Sequence, residues 1–402
     1  MKSYPRRVGV AALALALAQG LTACTGSAAD TPATEPGTAG SRAGSGPGGS
    51  SAPHAVNVMV TADQGCVPDT THLAAGPLTV TVTNRDAAAV SEIEVLSGER
   101  IVGEKENLPP GFNGTFTVSL TAGTYTLYCP GAPHERSALT VTGTATGAAD
   151  SSLTALWQRG TVQYGRYVDT QLDSLVETTT ALARTLHGGD LDAARAAYLA
   201  ARPAYEKIEP VAESFATGGT DLDAAIDARM DEVPAARWTG FHAIEKGLFA
   251  DGRLTGLGRL GDGLVRDVRR LRELAAHLRY QPFELANGAQ ELLDEVARSK
   301  ITGEEERYSH TDLLDVQANV EGAEQAFAAL QPALVRIDPT LTGTITSRFA
   351  ALHTVLDRYR DARDPSGFVR FGQVTAPDKR ALSAAVTAVQ EPLSRVASKA
   401  TS

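Results

Sequence analysis

The 402-residue sequence is poor in cysteine, has no excess of basic residues and lacks long apolar runs beyond its N-terminus. It contains 3 Cys, and 37 Lys and Arg against 47 Asp and Glu give a formal net charge of −10. This acidic balance argues against a nucleic-acid partner. A transmembrane helix needs about 20 consecutive apolar residues, and no later stretch supplies them. The length predicts two folded domains with connecting segments.

The N-terminus has the pattern of an export signal. Three basic residues precede an Ala- and Leu-rich run over 8–21, which is too short to span a bilayer. The run ends in the letters LTAC, and this ending at Cys24 resembles a bacterial lipobox. We expect a signal peptide over 1–23 and a lipidated, Gly- and Ser-rich tether over 24–52. The protein would then be exported and anchored by acyl chains at the outer face of the cytoplasmic membrane. A plain signal peptide with an incidental cysteine is the alternative.

Two periodicities divide the remaining chain. Over 53–143, β-branched residues alternate with polar ones in short stretches such as VTVT at 80–83. This alternation predicts a small all-β sandwich or barrel. Over 151–398 the apolar residues follow a helical period, which predicts an all-α bundle in which Asp190 caps one helix.

A His-x-x-Glu pair is the first candidate site. His242 and Glu245 are three residues apart on a predicted helix, so they lie on one face and can share a metal ion. On spacing alone, a chance surface pair or an i,i+3 hydrogen bond is the competing interpretation.

Two further acidic segments flank predicted helices. Ser309 and Asp312 have the spacing of a capping box, and oxygen ligands on the helix that follows could complete a site begun at His242. A capped helix with polar residues beside its apolar stripe is the alternative. The other segment carries three glutamates on one face, for which we expect a solvated surface: Glu206, Glu209 and Glu213.

The β-domain contains a second set of candidate ligands. Cys129 follows a predicted strand, as the ligand loop of a copper protein does, but no Met follows it and no His stands near the Asn84 turn. Cys66, Cys129, Glu92 and Glu94 could form a thiolate and carboxylate site. A Cys66–Cys129 disulfide competes with it, since an exported protein with an even cysteine pair normally forms one.

The order of these features resembles the EfeO family, the extracytoplasmic components of EfeUOB-type iron-uptake systems. The resemblance rests on GFHAIEK at 240–246, EKENLPPGF at 104–112, the segment 205–215 and the segment 299–322. It implies a cupredoxin-like β-domain followed by an imelysin-type helical bundle. The resemblance also implies that His242 and Glu245 are metal ligands. Three other residues are candidate ligands on helices that a bundle could bring together: Asp262, Asp315 and Glu321.

The function implied is that of a non-enzymatic, iron-binding protein that delivers iron to a membrane permease. A haem peroxidase-like protein of the same system is the other implied partner. The cofactor expected is iron, with copper or zinc as alternatives in the β-domain. A metallopeptidase is a weaker interpretation, because no second His follows His242 as the His-Glu-x-x-His motif requires. A copper or redox module that oxidises Fe(II) is the third interpretation of the function.

Overall fold

The computed structural model describes residues 54–144, 151–217, 220–230 and 232–400. The predicted signal peptide, Cys24 and the tether lie outside these residues. No helix in the described part of the chain is long and apolar enough to cross a membrane.

Residues 54–144 contain two β-sheets. The first has the strand order β2-β1-β4-β7, with β1 and β4 parallel, and the second has the order β3-β9-β8-β5-β6. The strands are β1 Ala55–Thr61, β2 Gly65–Pro68, β3 His72–Ala74, β4 Gly76–Asn84, β5 Ile93–Ser97, β6 Arg100–Lys105, β7 Asn113–Leu120, β8 Gly123–Tyr128 and β9 Arg136–Thr142.

Alternation explains how the two sheets pack. Along β1, Val56, Val58 and Val60 are buried, while the intervening Asn57 and Met59 are exposed. Val80 and Val82 of β4 enter the same core, as expected for strands with one face against a second sheet. The predicted all-β sandwich is confirmed.

The rest of the described chain is mainly helical. Its helices are α1 Ser151–Gly188, α2 Leu191–Glu206, α3 Leu222–Asp227, α4 Gly240–Glu245, α5 Leu257–Ala275, α6 Pro282–Arg298, α7 Asp312–Ile337, α8 Pro339–Leu356 and α9 Ala376–Leu393. A pair of two-residue strands, β10 Ala216–Thr217 and β11 Thr220–Asp221, interrupts the pattern. The predicted all-α domain is confirmed in its class.

Helix starts show one prediction that is right and one that is wrong. Asp190 caps α2, accepting hydrogen bonds from the backbone N–H groups of the first turn. Ser309 and Asp312 do not form a capping box. Instead, α7 begins after Thr311, and the Ser309 hydroxyl donates to Glu306. The Ser309 hydroxyl therefore contacts the buried Glu306 carboxylate and not the first turn of α7.

Helix α6 joins the helical part to the β-sandwich through polar contacts. Lys105 Nζ lies 2.6 Å from Glu291 Oε2 and 3.5 Å from Asp294 Oδ2. Asn287 donates from Nδ2 to the Thr117 carbonyl at 2.7 Å. These contacts hold strands β6 and β7 against α6, beside the helical residues described next.

Candidate metal centre

His242 and Glu245 lie on α4, a short helix whose first residue has to be glycine. Gly240 has a φ of +80°, and a Cβ there would lie 2.0 Å from the Ile226 carbonyl oxygen. After Glu245 the chain makes a π-helical turn over Lys246–Ala250, a rare conformation that is frequent at functional sites. His242 is 3% exposed and Glu245 is fully buried. The alternative of a chance surface pair does not agree with this burial.

Each nitrogen of the His242 ring faces carboxylates. Nδ1 lies 3.5 Å from Glu245 Oε2, and Nε2 lies 3.5 Å from Asp227 Oδ1. Glu306 completes a group of three with the first pair, and Glu305 completes one with the second; within each group the ligand atoms lie within 4.8 Å of one another. Both groups have the donor chemistry of a transition-metal site.

Two ligand atoms of the first group lack hydrogen-bond partners. His242 Nδ1 and Glu245 Oε2 are buried, and within the described part of the chain neither has a hydrogen-bond partner apart from their own 3.5 Å contact. Buried side-chain polar atoms are satisfied in the large majority of cases, so this adjacent pair calls for an explanation. A cation between the two atoms would satisfy both.

The other oxygen of Glu245 explains why the side chain keeps this orientation. Oε1 accepts hydrogen bonds from the backbone N–H groups of Tyr308 and Ser309, each at 2.7 Å. The carboxylate thus fixes the segment before α7, which also carries Glu305 and Glu306. Because Oε1 is used in this way, Oε2 is left to face His242.

Arg202 lies at the centre of the acidic interior. It is fully buried on α2. Its guanidinium forms ion pairs with five carboxylates: Glu206, Asp227, Glu305, Glu306 and Asp315. Lys300, also buried, lies within 3.3 Å of carboxylate oxygens of Glu206, Glu209 and Glu305. These two side chains provide the internal positive charge that the buried carboxylates require.

Burial and charge shift the protonation of the site. Burial raises the pKa of Asp227 to about 6, although Arg202 and His242 oppose the shift. Burial alone would lower the pKa of His242, but the Asp227 and Glu245 carboxylates outweigh it and raise it. Burial would likewise raise the pKa of Glu305, yet the positive charges of Lys300 and Arg229 hold it below its usual range.

A cavity of about 970 Å³ reaches the His242 ring. Asp227 and Glu305 line it on the helical side, and Glu92 and Glu94 line it on the sandwich side. Carboxylates on both walls favour the approach of a cation. Asp227 and Glu305, the carboxylates grouped with Nε2, line the cavity, whereas Glu245 and Glu306 do not.

The structure separates the other predicted ligands of the helical domain. Asp315 lies in the interior, where it pairs with Arg202. Asp262 does not reach the site: its side chain is 62% exposed, and its Oδ1 lies 3.1 Å from Nε2 of His187 on α1. Glu321 is also outside and pairs with Lys207 at 2.9 Å. The structure therefore does not bring Asp262 and Glu321 to His242, because both carboxylates project from the solvent-facing sides of their helices.

The cysteines of the β-domain adopt the second of the two predicted alternatives. Cys66 and Cys129 are joined by a disulfide. A metal ligand has to be a thiolate, so these sulfurs are not ligands while the disulfide is intact. The thiolate interpretation is corrected accordingly, and Glu92 and Glu94 belong to the wall of the cavity.

Several residues of the centre were missed or misjudged from the sequence. Glu206 was assigned to a solvated face, but it is fully buried against Arg202. Asp227, Glu305 and Arg202 were not singled out. Three consecutive glutamates at 304–306, shortly before α7, were the available signal for Glu305, and no periodicity marked them as buried.

Comparisons with known proteins agree with this architecture. Residues 160–396 match the family model described as Imelysin, and residues 39–141 match that of a Cupredoxin-like domain. The protein named "Iron uptake system component EfeO" is 38% identical in Escherichia coli K12 and in Shigella flexneri, over 85% of this chain and 90% of each relative. A crystal structure of an iron-regulated protein A precursor from Parabacteroides distasonis has a TM-score of 0.50 at 14% identity. It covers 64% of this chain and 97% of that chain, and it supports the fold alone.

Proposed function

Because the chain belongs to the EfeO family of iron uptake components, and its helical part to the imelysin family, we propose that it binds iron at His242 and Glu245 and delivers it to a membrane permease. A role in iron uptake follows from the family. The binding residues, the delivery and the partners are the proposal.

The unsatisfied pair at His242 is the observation that carries the proposal. Two ligands about 2.1 Å from one ion lie roughly 3 to 3.5 Å apart. His242 Nδ1 and Glu245 Oε2 have that separation, and both lack other partners in the described chain. Glu306 offers a third ligand. A neutral imidazole with carboxylates suits iron, although zinc and copper would also bind such a set.

The acidic cavity supports capture of a cation from outside. A bound ion would be the cargo of the protein, so the route to His242 matters as much as the ligands. Carboxylates such as Glu92 and Glu295 line the walls of this route. The negative field concentrates cations near the centre before any ligand binds them.

Export and anchoring complete the proposal. The lipobox-like ending at Cys24 would hold the protein at the outer face of the cytoplasmic membrane, beside a membrane permease. A haem peroxidase-like protein of the same system is the second partner we propose. We propose no enzymatic activity. Each of the three candidate metal groups in the described residues contains at most one histidine, whereas a His-Glu-x-x-His peptidase site needs two.

A pair of variants tests the binding site. His242→Ala should weaken Fe(II) binding, titrated without oxygen, by more than about 100-fold, since it removes a ligand rather than an outer-shell partner. Asp262→Asn is the matched control, because Asp262 pairs with a histidine outside the centre, and its affinity should stay within about twofold. Wild-type affinity in the His242→Ala protein, with its helical circular dichroism intact, would contradict the assignment.

A further inference from the structure

The third group of carboxylates in the interior has the geometry of a metal site but contains side-chain cations. Ligand oxygens of Glu206, Glu305 and Asp315 lie within 4.8 Å of one another, and all three residues are buried. Two ligands on opposite sides of an ion at about 2.2 Å would be roughly 4.4 Å apart. In distance and donor type, this group could therefore hold an ion.

Arg202 places its Nη2 among those oxygens. This nitrogen lies 2.5 Å from Glu206 Oε1, 2.9 Å from Asp315 Oδ2 and 3.4 Å from Glu305 Oε1. Lys300 adds a second positive charge, at 3.3 Å from Glu206 and 3.2 Å from Glu305. Asp315 Oδ1 is buried and has no hydrogen-bond partner among the described residues, so Arg202 and Lys300 leave at least one candidate ligand oxygen without a partner.

The carboxylates around Arg202 adjoin the proposed iron site. The guanidinium also pairs with Asp227 and Glu306, which belong to the two groups around His242. Carboxylate clusters in helical bundles commonly hold two metal ions side by side. Here a fixed guanidinium occupies the position beside the His242 groups where a second ion would otherwise be expected.

We propose that Arg202 determines how many ions the centre takes: its guanidinium fills a latent second metal position and limits the protein to one exchangeable cation. The inference rests on the proposed function of His242. A permanent side-chain cation cannot dissociate, so it neutralises the buried carboxylates without adding a second ion that would have to be released. It also places positive charge beside Asp227 and Glu306, which weakens the attraction of the first site for its ion.

The test counts bound Zn²⁺ by native mass spectrometry on the full mature chain. Arg202→Met should hold one Zn²⁺ more than the wild type. Lys207→Met is the matched control: it also removes one positive charge, but from a half-exposed pair with Glu321, and its count should equal that of the wild type. An Arg202→Met count equal to that of the control would overturn the inference.

A second variant addresses folding. Loss of the guanidinium leaves five carboxylates short of a partner, so Arg202→Met has to be refolded with Zn²⁺ present if it does not fold alone. Arg202→Met with Asp315→Asn restores part of the charge balance and removes one ligand, and it should return to the wild-type count. An extra ion in this double variant would overturn the assignment to Glu206, Glu305 and Asp315. A wild-type protein that binds no Zn²⁺ at His242 would contradict the proposed function, whereas equal counts in all variants would contradict only the role of Arg202.

Discussion

Replacing Glu245 by alanine or by glutamine should separate its structural role from its metal-binding role. Oε1 accepts two backbone hydrogen bonds at 2.7 Å, and Oε2 faces His242 without a partner. Glutamine keeps an oxygen for the backbone groups and places an amide nitrogen near Nδ1. Alanine removes both atoms. The two variants thus lose the same ligand but differ in what they leave unsatisfied.

The size of the difference follows from these contacts. A hydrogen bond to a charged group contributes about 1.5–3 kcal/mol, so two of them give about 3–6 kcal/mol. Removal of the Glu245 charge also relieves its repulsion of Glu306, whose pKa is raised first by burial and then by Glu245 and Asp315. We therefore expect Glu245→Ala to lower the free energy of unfolding by about 2–4 kcal/mol. Glu245→Gln should stay within about 1 kcal/mol of the wild type.

Urea unfolding of the metal-free proteins, followed by helical circular dichroism, measures the first effect. Fe(II) titration without oxygen measures the second, and both variants should bind at least about 100-fold more weakly because neither offers a carboxylate to the ion. Equal destabilisation by alanine and glutamine would refute the argument from Oε1. Wild-type binding by Glu245→Gln would refute the argument from Oε2.

Three other predictions concern protonation, the disulfide and the anchor. The metal-free protein should lose stability as the pH rises through about 6 and beyond, since the folded-state pKa of Asp227 is about 6 and that of His242 is also raised, so both groups bind protons more tightly when folded. The loss should appear in urea unfolding from about pH 4, where Asp227 titrates in the unfolded chain, to about pH 8. Zn²⁺ affinity should rise over the same range because binding needs the deprotonated ligands. A flat unfolding profile would contradict the shifts. A chain beginning at residue 51 should show no reactive thiol until a reductant opens the Cys66–Cys129 disulfide, and two thiols titrating in the native protein would contradict the pairing. Cys24→Ser should release the protein from membranes or leave an uncleaved precursor, and normal processing with membrane retention would exclude the lipid anchor.

The fold class could be predicted because its signals are local. Alternation in β4 and the helical period of α5 depend on neighbours within a few residues, and burial follows the same period in the structure. The pairing of His242 with Glu245 could be predicted for the same reason, because a spacing of three places them on one helical face. The disulfide remained one of two alternatives, since the sequence does not show that Cys66 and Cys129 lie opposite each other.

The remainder of the centre depends on long-range placement. Asp227 ends α3, and Glu305 lies in an irregular segment before α7, so neither belongs to a periodic pattern that includes His242. Asp262 shows the converse error. It is a plausible ligand on a helix near the motif, but the buried stripe of α5, with Leu264 and Val268, turns it towards solvent. Which face of a helix meets a distant residue is decided by packing, and one sequence does not contain that information.

The arrangement around His242 connects an accessible side of the centre to a closed one. Nε2 faces Asp227 and the cavity, while Nδ1 faces Glu245 and the buried segment before α7. Because one ring nitrogen of a metal-bound histidine normally contacts a carboxylate while the other binds the ion, either side could hold the cation and the other would orient the ring. Only the Glu245 side has two unsatisfied atoms in the described residues, whereas on the Asp227 side Arg202 and Arg229 already neutralise the carboxylates. We therefore expect the ion to rest against Glu245 and to pass the Asp227 side on its way in and out.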